Sequence, residues 1–188
     1  MQNSVVSSEC EELILVDSAD NEIGYLSKAE CHDGDGLLHR AFSVFIFDAD
    51  GRLLLQQRGK AKRLWPGYWS NSCCSHPRKG ESMSLATSRR LREELGIDID
   101  VKYVYKFLYQ ASFGEHGSEH ELCSVYLGRG AENLRPNVTE IEAIRFVSID
   151  ELVSEMKEAP DNFTPWFHQE WECLTAEHAE LLARFTRS

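Results

Sequence analysis

The chain has 188 residues and a mass of 21.5 kDa, the size of one ordinary domain with a sizeable hydrophobic core. Its formal net charge of −11 argues against a nucleic-acid partner, and no apolar run approaches the roughly 18 residues of a transmembrane helix. The first eight residues lack the basic start and apolar stretch of a secretory signal, so we expect a cytoplasmic protein that does not associate with membranes.

The first half of the chain predicts short strands joined by turns. Residues 12–16 are predicted to form a strand, followed by a polar turn at 18–21. Residues 41–47 and 53–57 are apolar segments on either side of the turn sequence Asp48-Ala49-Asp50-Gly51, and this pattern predicts a β-hairpin. Residues 65–69 form a predicted loop that is rich in aromatic side chains.

The second half mixes helices with strands. Residues 81–95 are predicted to form a helix that places Leu85, Leu91 and Leu95 on one face and stops at Gly96. Strands are predicted at 101–113, 122–127 and 143–147, with a polar loop at 114–120. Ser148 begins a capping-box pattern, and a last helix can begin at 164–165. Because strict β-α-β alternation is absent, we expect an α+β fold, one compact domain over residues 1–188 with a mixed sheet flanked by helices.

Cysteines and basic residues give two further indications. The six cysteines show no Cys-x-x-Cys spacing, so we expect reduced thiols and regard any special cysteine as a candidate for chemistry. Residues 58–92 hold nine of the twenty basic residues and a single acid, Glu81. This basic segment is equally consistent with a small anionic ligand, such as a phosphate, and with a solvated surface.

Two segments carry most of the residue types used in catalysis. The first contains Ser70-Asn71-Ser72-Cys73-Cys74-Ser75-His76-Pro77, then Gly80-Glu81, and ends with Arg89-Arg90-Leu91-Arg92-Glu93-Glu94-Leu95-Gly96; the second is Glu119-His120-Glu121. Residues 75–97 resemble a degenerate Nudix box, whose general pattern is G-x5-E-x7-R-E-U-x-E-E-x-G-U. Seven positions are in register: Glu81, Arg89, Leu91, Glu93, Glu94, Gly96 and Ile97. The chain departs from the pattern at Ser75, in place of the first glycine, and at Arg90, in place of a glutamate.

The departure at Arg90 bears on the reaction. In hydrolytic Nudix enzymes, several carboxylates on this helix hold metal ions against a pyrophosphate while water attacks. An arginine cannot bind Mg²⁺, but its guanidinium can hold a phosphate through two parallel hydrogen bonds. The substitution therefore predicts a site that holds a diphosphate rather than cleaving it.

The Cys-x-His-Pro motif, the degenerate box, the Glu-x-Glu pair and the aromatic loop, taken together, resemble the isopentenyl-diphosphate isomerases of the type built on a Nudix fold. The matches run from Lys28 to Trp166. The resemblance implies reversible conversion of isopentenyl diphosphate to dimethylallyl diphosphate by protonation and deprotonation, with a small-molecule diphosphate as substrate and no obligate protein partner. Two alternatives stay open, a Nudix pyrophosphohydrolase and a non-enzymatic module that binds a metal or a nucleotide.

The implied reaction needs an acid and a base on opposite faces of the substrate, a dry pocket and an aromatic ring that tolerates a carbocation. By position in the family motifs, the resemblance implies catalytic roles for Cys74, Glu121, Tyr109 and Trp166. Cys73 lacks the motif spacing and is expected to be an ordinary buried residue. The implied diphosphate-binding residues are Lys28, Arg58, Lys62 and Arg90.

A second group of residues offers metal ligands. The resemblance makes ligands of His32, His39, His76, Glu119 and Glu121, although these histidines taken alone are more typical of a protein surface. Three imidazoles and two carboxylates suit Mn²⁺ or Mg²⁺, and Zn²⁺ is also compatible. A further Mg²⁺, shared with the substrate diphosphate, is implied at Glu94.

Overall fold

The computed structural model describes residues 5–187 of the chain. Within this range the strands are β1 (Glu12–Val16), β2 (Glu22–Ser27), β3 (His39–Phe47), β4 (Leu53–Arg58), β5 (Trp69–Ser70), β6 (Cys73–Ser75), β7 (Val101–Ser112), β8 (Ser118–Arg129) and β9 (Ile141–Val147). The helices are α1 (Lys28–Cys31), α2 (Met83–Arg90), α3 (Ile149–Glu158), α4 (Pro165–Glu177) and α5 (Ala179–Thr186), and a π-helical turn, Leu91–Leu95, continues α2. None of these helices has the length and hydropathy of a membrane span.

One mixed sheet contains all nine of these strands, and β3 is its centre. Along one edge, β3 pairs in parallel with β8 over nine residues, and β8 pairs in turn with the antiparallel strand β7. The other edge of β3 is shared by β1, β6 and β4, which pair with successive segments of it. β4 continues the sheet outward to β5 and β9. The predicted α+β class, with a mixed sheet flanked by helices, is confirmed.

The predicted hairpin over residues 41–57 is wrong beyond its turn. β3 and β4 form only one pair, between Phe47 and Leu53, and then separate. β3 takes β6 and β8 as its neighbours, while β4 pairs along its length with β9. The apolar segments predict the two strands correctly, but strands distant in sequence compete for the same edges, and no local pattern indicates which strand pairs with which.

Two hydrophobic clusters cover the two faces of the sheet. Side chains of β3 alternate between them, with Phe45 in the cluster beneath α4 and Val44 in the cluster beneath α2. The α4 side also contains Phe167 and Leu174, and its aromatic rings stack on one another. The sheet is therefore buried on both faces, which explains why β3 is a nearly continuous apolar run.

The helix predicted over residues 81–95 is present but composite. An α-helix runs to Arg90 and gives way to the π-helical turn, which ends at Gly96 in the left-handed conformation, φ 70°. Leu91 and Leu95 are fully buried, but Leu85 is 63% exposed, so its predicted place on their face is wrong. At about 100° per residue, Leu85 lies well away from the direction of Leu91, and Ala86 is buried instead.

The loop predicted at 114–120 is shorter than expected. Only Gly114–His116 form a helical turn, and β8 begins at Ser118, so the Glu119-His120-Glu121 segment lies within a strand. Charged residues are unfavourable in strands, and their polarity made this segment resemble a loop. The capping box at Ser148 is confirmed, and the predicted last helix is two helices separated at His178.

Candidate active site

Strand register brings the chemically important residues to one face of the sheet. Across the β3–β6 ladder Ser43 pairs with Cys74, and across the β3–β8 ladder His39 pairs with Glu121. Glu121 in turn pairs with Tyr109 on β7. Side chains alternate along a strand, so His39 and Ser43, four residues apart, point to the same side. Cys74 and Glu121 therefore stand on opposite edges of β3 and face the same space, the α4 side of the sheet.

The two adjacent cysteines point to opposite sides of the sheet. Cys73 pairs with Val44 and is fully buried in the cluster beneath α2. Cys74, one residue further along β6, packs against the other cluster and lines a cavity. The alternation of β6 thus separates the two thiols, and only Cys74 reaches the cavity.

That cavity has a volume of about 620 Å³. Its lining includes nearly all of the residues that the sequence analysis singled out: Cys74, Glu121, Tyr109, Trp166, Lys28, Arg58, Lys62, Arg90, His32, His76 and Glu119. His39 lies beneath it as a fully buried neighbour of the other two imidazoles, and Glu94 is buried behind Arg90. Residues from β3, β6, β7, β8, α1 and α2 therefore converge on one pocket.

Three histidines and two glutamates form a compact group at this pocket. Their rings are close, with centroids 4.9 Å apart for His32 and His39 and 5.3 Å apart for His32 and His76. One ligand atom from each of five side chains lies within 4.8 Å of all the others: His32, His39, His76, Glu119 and Glu121. This group could bind a metal ion, because neutral imidazoles and carboxylates are common ligands of divalent metals.

Hydrogen bonds around the histidines prepare them for that role. The Nδ1 atoms of His32 and His39 lie 2.7 Å from the carbonyl oxygens of Lys28 and Leu37, which places a proton on each Nδ1 and leaves Nε2 with a free lone pair. His39 Nε2 is buried without a hydrogen-bond partner. Burial and the neighbouring His32 lower the pKa of His39 to about 3, so its imidazole is neutral at physiological pH.

The carboxylates of the group fit a shared ion as well. Glu119 Oε2 lies 2.8 Å from His32 Nε2, yet it has no partner with hydrogen-bond geometry. Such a close approach without a hydrogen bond is the arrangement expected of two ligands that share one metal ion. Burial raises the pKa of Glu119, but the neighbouring His32, His76 and Arg58 side chains together outweigh burial and hold this pKa well below its usual range.

Glu121 connects this histidine–glutamate group to the rest of the cavity. Its Oε1 lies 2.8 Å from His76 Nε2 and 3.7 Å from His39 Nε2, while its Oε2 accepts a hydrogen bond of 2.6 Å from the Tyr109 hydroxyl. In the metal-free protein, burial and then the Glu119 carboxylate raise the pKa of Glu121 well above its usual range. A bound cation would counter both effects, so the metal would set the protonation state of this carboxyl group.

The Cys74 thiol is surrounded by hydrogen-bonding groups. It donates to the Asn71 side-chain oxygen at 2.6 Å, and its sulfur lies 3.3 Å from the Trp166 indole nitrogen. The hydroxyls of Ser70 and Ser43 are 3.6 and 3.7 Å from the sulfur. Burial, followed by the nearby Glu170 carboxyl, raises the pKa of Cys74 to about 12. The side chain is therefore a thiol at neutral pH, with donors arranged to stabilise a transient thiolate.

Cationic side chains occupy another part of the cavity wall. Lys28 Nζ contacts the Ser7 hydroxyl at 2.8 Å and the Glu9 carboxylate at 3.2 Å. Arg58 donates to the carbonyl oxygens of residues 64 and 65, and its guanidinium carbon lies 5.0 Å from the centre of the Trp166 ring system. The cavity therefore combines a positively charged region with an aromatic one, as a ligand with an anionic head and an apolar body requires.

Arg90 lies in the core of a buried charge network. The side chain is only 1% exposed, and it donates to Glu94 at 3.0 Å and to Glu140 at 3.4 Å. A further donor atom contacts the Val6 carbonyl oxygen at 2.7 Å. Glu140 also pairs with Lys62. The structure thus places Arg90 at the cavity wall with its hydrogen bonds directed to Glu94 and Glu140, and its contact with a diphosphate stays a prediction.

The structure adds residues to the site that sequence reasoning did not single out individually. Glu140 lines the cavity between Lys62 and Arg90, and Ser43 adjoins the thiol. Asn71 accepts the Cys74 hydrogen bond, and a polar Ser-Asn-Ser segment just before the cysteines was the available signal for it. Glu140 had no such signal. It lies in the segment between β8 and β9, and the fold alone brings that segment back to the site.

Comparison with known proteins identifies the class of this fold and site. Residues 37–167 match the NUDIX domain family, so the chain contains a Nudix domain. The fold is similar to that of a Deinococcus radiodurans protein, with a TM-score of 0.67 and 19% identity over 94% of this chain and all of that one. It is also similar to a MutT protein of Methanosarcina mazei, with a TM-score of 0.59 and 16% identity over 79% of this chain and 92% of that one.

Sequence relatives narrow the class further. The chain is 41% identical to isopentenyl-diphosphate Delta-isomerase 1 of Photorhabdus laumondii, over 92% of this chain and 99% of the relative. It is 44% identical to the isopentenyl-diphosphate Delta-isomerase of Serratia proteamaculans, over 95% of this chain and 99% of the relative. The chain belongs to the isopentenyl-diphosphate Delta-isomerase family, as its motifs predict.

Proposed function

We propose that this protein interconverts isopentenyl diphosphate and dimethylallyl diphosphate by adding a proton at one end of the allylic unit and removing one from the other. Family membership supports the reaction, and the observation that carries it is the placement of Cys74 and Glu121 on opposite edges of β3, facing one cavity. The reaction is redox-neutral, since one proton enters and one leaves. A Nudix pyrophosphohydrolase is the alternative activity.

Cys74 and Glu121 are the proposed proton-transferring groups. Protonation of the terminal methylene carbon gives a tertiary carbocation, and loss of a proton from the carbon next to the CH₂–O group completes the double-bond shift. The Cys74 thiol is surrounded by hydrogen-bonding groups, and the Glu121 carboxyl group is hydrogen-bonded to Tyr109. Each can therefore hold or release a proton at a defined atom. Their separate strands allow them to address opposite faces of the planar intermediate.

The aromatic wall supports the intermediate. Trp166 is buried beside Cys74, its indole nitrogen donates to Ser70 Oγ at 3.0 Å, and its ring meets Trp65 edge-on at 5.2 Å. These contacts fix the indole at the cavity. A cation over such a face is stabilised by about 0.5–2 kcal/mol, depending on desolvation. Leu64 lines the cavity together with Trp166, and apolar walls of this kind disfavour water, which would otherwise trap the carbocation as an alcohol.

The proposed metal ligands are the five side chains of the histidine–glutamate group, and their nitrogen and oxygen atoms suit Mn²⁺ or Mg²⁺, with Zn²⁺ also compatible. A bound ion there would lower the pKa of Glu121 and fix its orientation. Glu94 is the proposed ligand of a Mg²⁺ that accompanies the substrate, and in the structure its carboxylate is paired with Arg90. Lys28, Arg58, Lys62 and Arg90 are the proposed diphosphate-binding residues.

Product analysis of the purified protein tests the proposal. Isopentenyl diphosphate is incubated with the protein and Mg²⁺, with and without a chelator, and both organic products and free phosphate are measured. We expect dimethylallyl diphosphate without phosphate release, and loss of the product when the chelator is present. Release of phosphate or diphosphate in place of the isomer would contradict the proposal and identify a hydrolase.

A further inference from the structure

A buried carboxyl group lies behind the proposed catalytic thiol. Glu170, on α4, is 0% exposed, and its Oε2 has no hydrogen-bond partner. Its Oε1 accepts a hydrogen bond of 3.6 Å from the Cys123 thiol, and that sulfur lies 3.6 Å from the oxygen of the Ser43 hydroxyl, which adjoins the carboxyl group and lowers its pKa. Ser43 is the residue paired with Cys74 across the β3–β6 ladder, and its hydroxyl donates to the Cys74 sulfur at 3.7 Å. A chain of side chains therefore links Glu170 to Cys74 through Ser43.

The surroundings of Glu170 favour the neutral acid. An isolated buried carboxylate is strongly disfavoured, and the hydrogen-bonding groups that face this carboxyl group, a hydroxyl and a thiol, are neutral. Burial raises the pKa of Glu170 to about 8, although the bonds from Ser43 and Cys123 lower it in part. The titratable groups that respond to its charge are Cys74 on β6, Glu121 and Cys123 on β8 and Tyr105 on β7, and a negative Glu170 would raise the pKa of each.

The Ser43 hydroxyl has a single proton, which it can donate either to the Glu170 carboxyl group or to the Cys74 sulfur. A charged acceptor binds a donor about twice as strongly as a neutral one does, so an ionised Glu170 would draw the Ser43 proton away from Cys74. A neutral carboxyl group can instead donate its own proton to Ser43 Oγ and leave the serine proton for the sulfur. The protonation state of Glu170 therefore decides whether Cys74 receives this hydrogen bond.

We propose that Glu170 is a positioning residue for Cys74, whose neutral carboxyl group orients the Ser43 hydroxyl toward the Cys74 sulfur. A hydrogen bond to that sulfur stabilises the thiolate relative to the thiol. Cys74 passes through the thiolate whether it donates or accepts the substrate proton, so the bond assists turnover in both directions. This inference rests on the proposed function of Cys74, and it adds a residue outside the cavity lining to the catalytic apparatus.

Three variants test the role of Glu170. In Glu170→Gln, the carboxamide N–H can donate to Ser43 as a neutral carboxyl group does, so kcat should stay within about threefold of the wild-type value. In Glu170→Leu, the donor is lost, and kcat should fall about tenfold to a hundredfold with little change in KM, the effect of removing a hydrogen bond to a charged group. Glu172→Gln, at an exposed position on the same helix, is the matched control and should match the wild type.

Coupling and spectroscopy complete the test. Ser43→Ala should reproduce the loss seen in Glu170→Leu, and the double variant should be no slower than either single one, because both changes remove the same bond. If Glu170→Leu does not fold, the contrast between Ser43→Ala and Glu170→Gln carries the same comparison. A Glu170→Gln variant as slow as Ser43→Ala would overturn the proposal.

The infrared difference spectrum of the wild type minus Glu170→Gln gives a readout that does not depend on turnover. At neutral pH it should contain the carbonyl stretch of a protonated carboxylic acid. Carboxylate bands in its place would overturn the inference about Glu170. A wild-type protein that shows the acid band but no isomerase activity would instead count against the proposed function, so the two failures are distinguishable.

Discussion

The Tyr109 hydroxyl donates a hydrogen bond of 2.6 Å to Glu121, its direct partner across the β7–β8 ladder. The other oxygen of the same carboxyl group faces His76 at 2.8 Å. Glu121 is thus held between a phenol on the cavity side and the imidazoles of the histidine–glutamate group. A single carboxyl group therefore contacts both the imidazoles that could bind a metal ion and the phenol that lines the cavity.

Substitutions of Glu121 should show whether isomerisation depends on the charge of this side chain or on its length. We expect Glu121→Gln to abolish isomerisation, since an amide cannot supply or accept the proton, and also to weaken metal binding. Glu121→Asp should retain trace activity, because the carboxylate survives one methylene short of its position. Steady-state kinetics together with metal analysis measures both effects. Tyr109→Phe is the comparison that keeps the carboxylate and removes its hydrogen bond, and a Glu121→Gln variant that keeps wild-type activity would remove Glu121 from the proton transfer.

Stereochemistry should report the positions of the two groups proposed to transfer protons. Because Cys74 and Glu121 rise from opposite edges of β3, we expect antarafacial transfer, in which the proton enters one face of the allylic unit and leaves from the other. Turnover in deuterated water, with stereospecifically labelled substrate, should place deuterium in the new methyl group. Suprafacial transfer, or a product without solvent label, would mean that one group performs both steps.

The two neighbouring thiols should differ in function. Cys74→Ala should remove nearly all isomerase activity, because Cys74 lines the cavity, whereas Cys73→Ala should keep most of it. Cys73 is packed in the cluster beneath α2, so its substitution should cost only about 1 kcal/mol of stability. Activity assays and thermal unfolding of both variants decide the matter, and the reverse ranking of activities would refute the assignment.

Metal retention should depend on His39. Its Nε2 is buried without a hydrogen-bond partner, so His39→Ala should lower metal affinity by on the order of tenfold to a hundredfold or more while the fold is kept. Removal of divalent metal from the wild type should abolish turnover. Elemental analysis beside circular dichroism gives both answers, with His116→Ala, at an exposed position, as control. Full metal occupancy in His39→Ala would exclude His39 as a ligand.

Arg90 should affect stability as well as substrate binding. Its removal leaves the Glu94 and Glu140 carboxylates buried without this partner, and we expect Arg90→Ala to lower the free energy of unfolding by about 3–5 kcal/mol. Urea denaturation measures this, and Arg92→Ala, at an exposed ion pair, should cost less than about 1 kcal/mol.

A contact between Arg90 and the diphosphate requires a second effect. In folded Arg90→Ala, KM should rise more than kcat falls, the sign of lost uniform binding. An unchanged KM would restrict Arg90 to its role in the buried charge network.

The sequence by itself determined the local features of this protein. Apolar segments on either side of a glycine-containing turn predicted β3 and β4, Ser148 and Glu151 marked the start of α3, and the order of the motifs indicated the family. These features depend on residues close together in the chain, where side-chain spacing and backbone hydrogen bonding act directly.

Only the tertiary structure decided which distant segments meet. The choice of β6 and β8 as neighbours of β3 brings Cys74 and Glu121 to one cavity and turns Cys73 away. Burial then determines charge: it keeps His39 neutral and directs the hydrogen bonds of Arg90 to carboxylates. Glu170 has no sequence signal, because its partners Ser43 and Cys123 lie far away in the chain and desolvation exists only once α4 packs on the sheet.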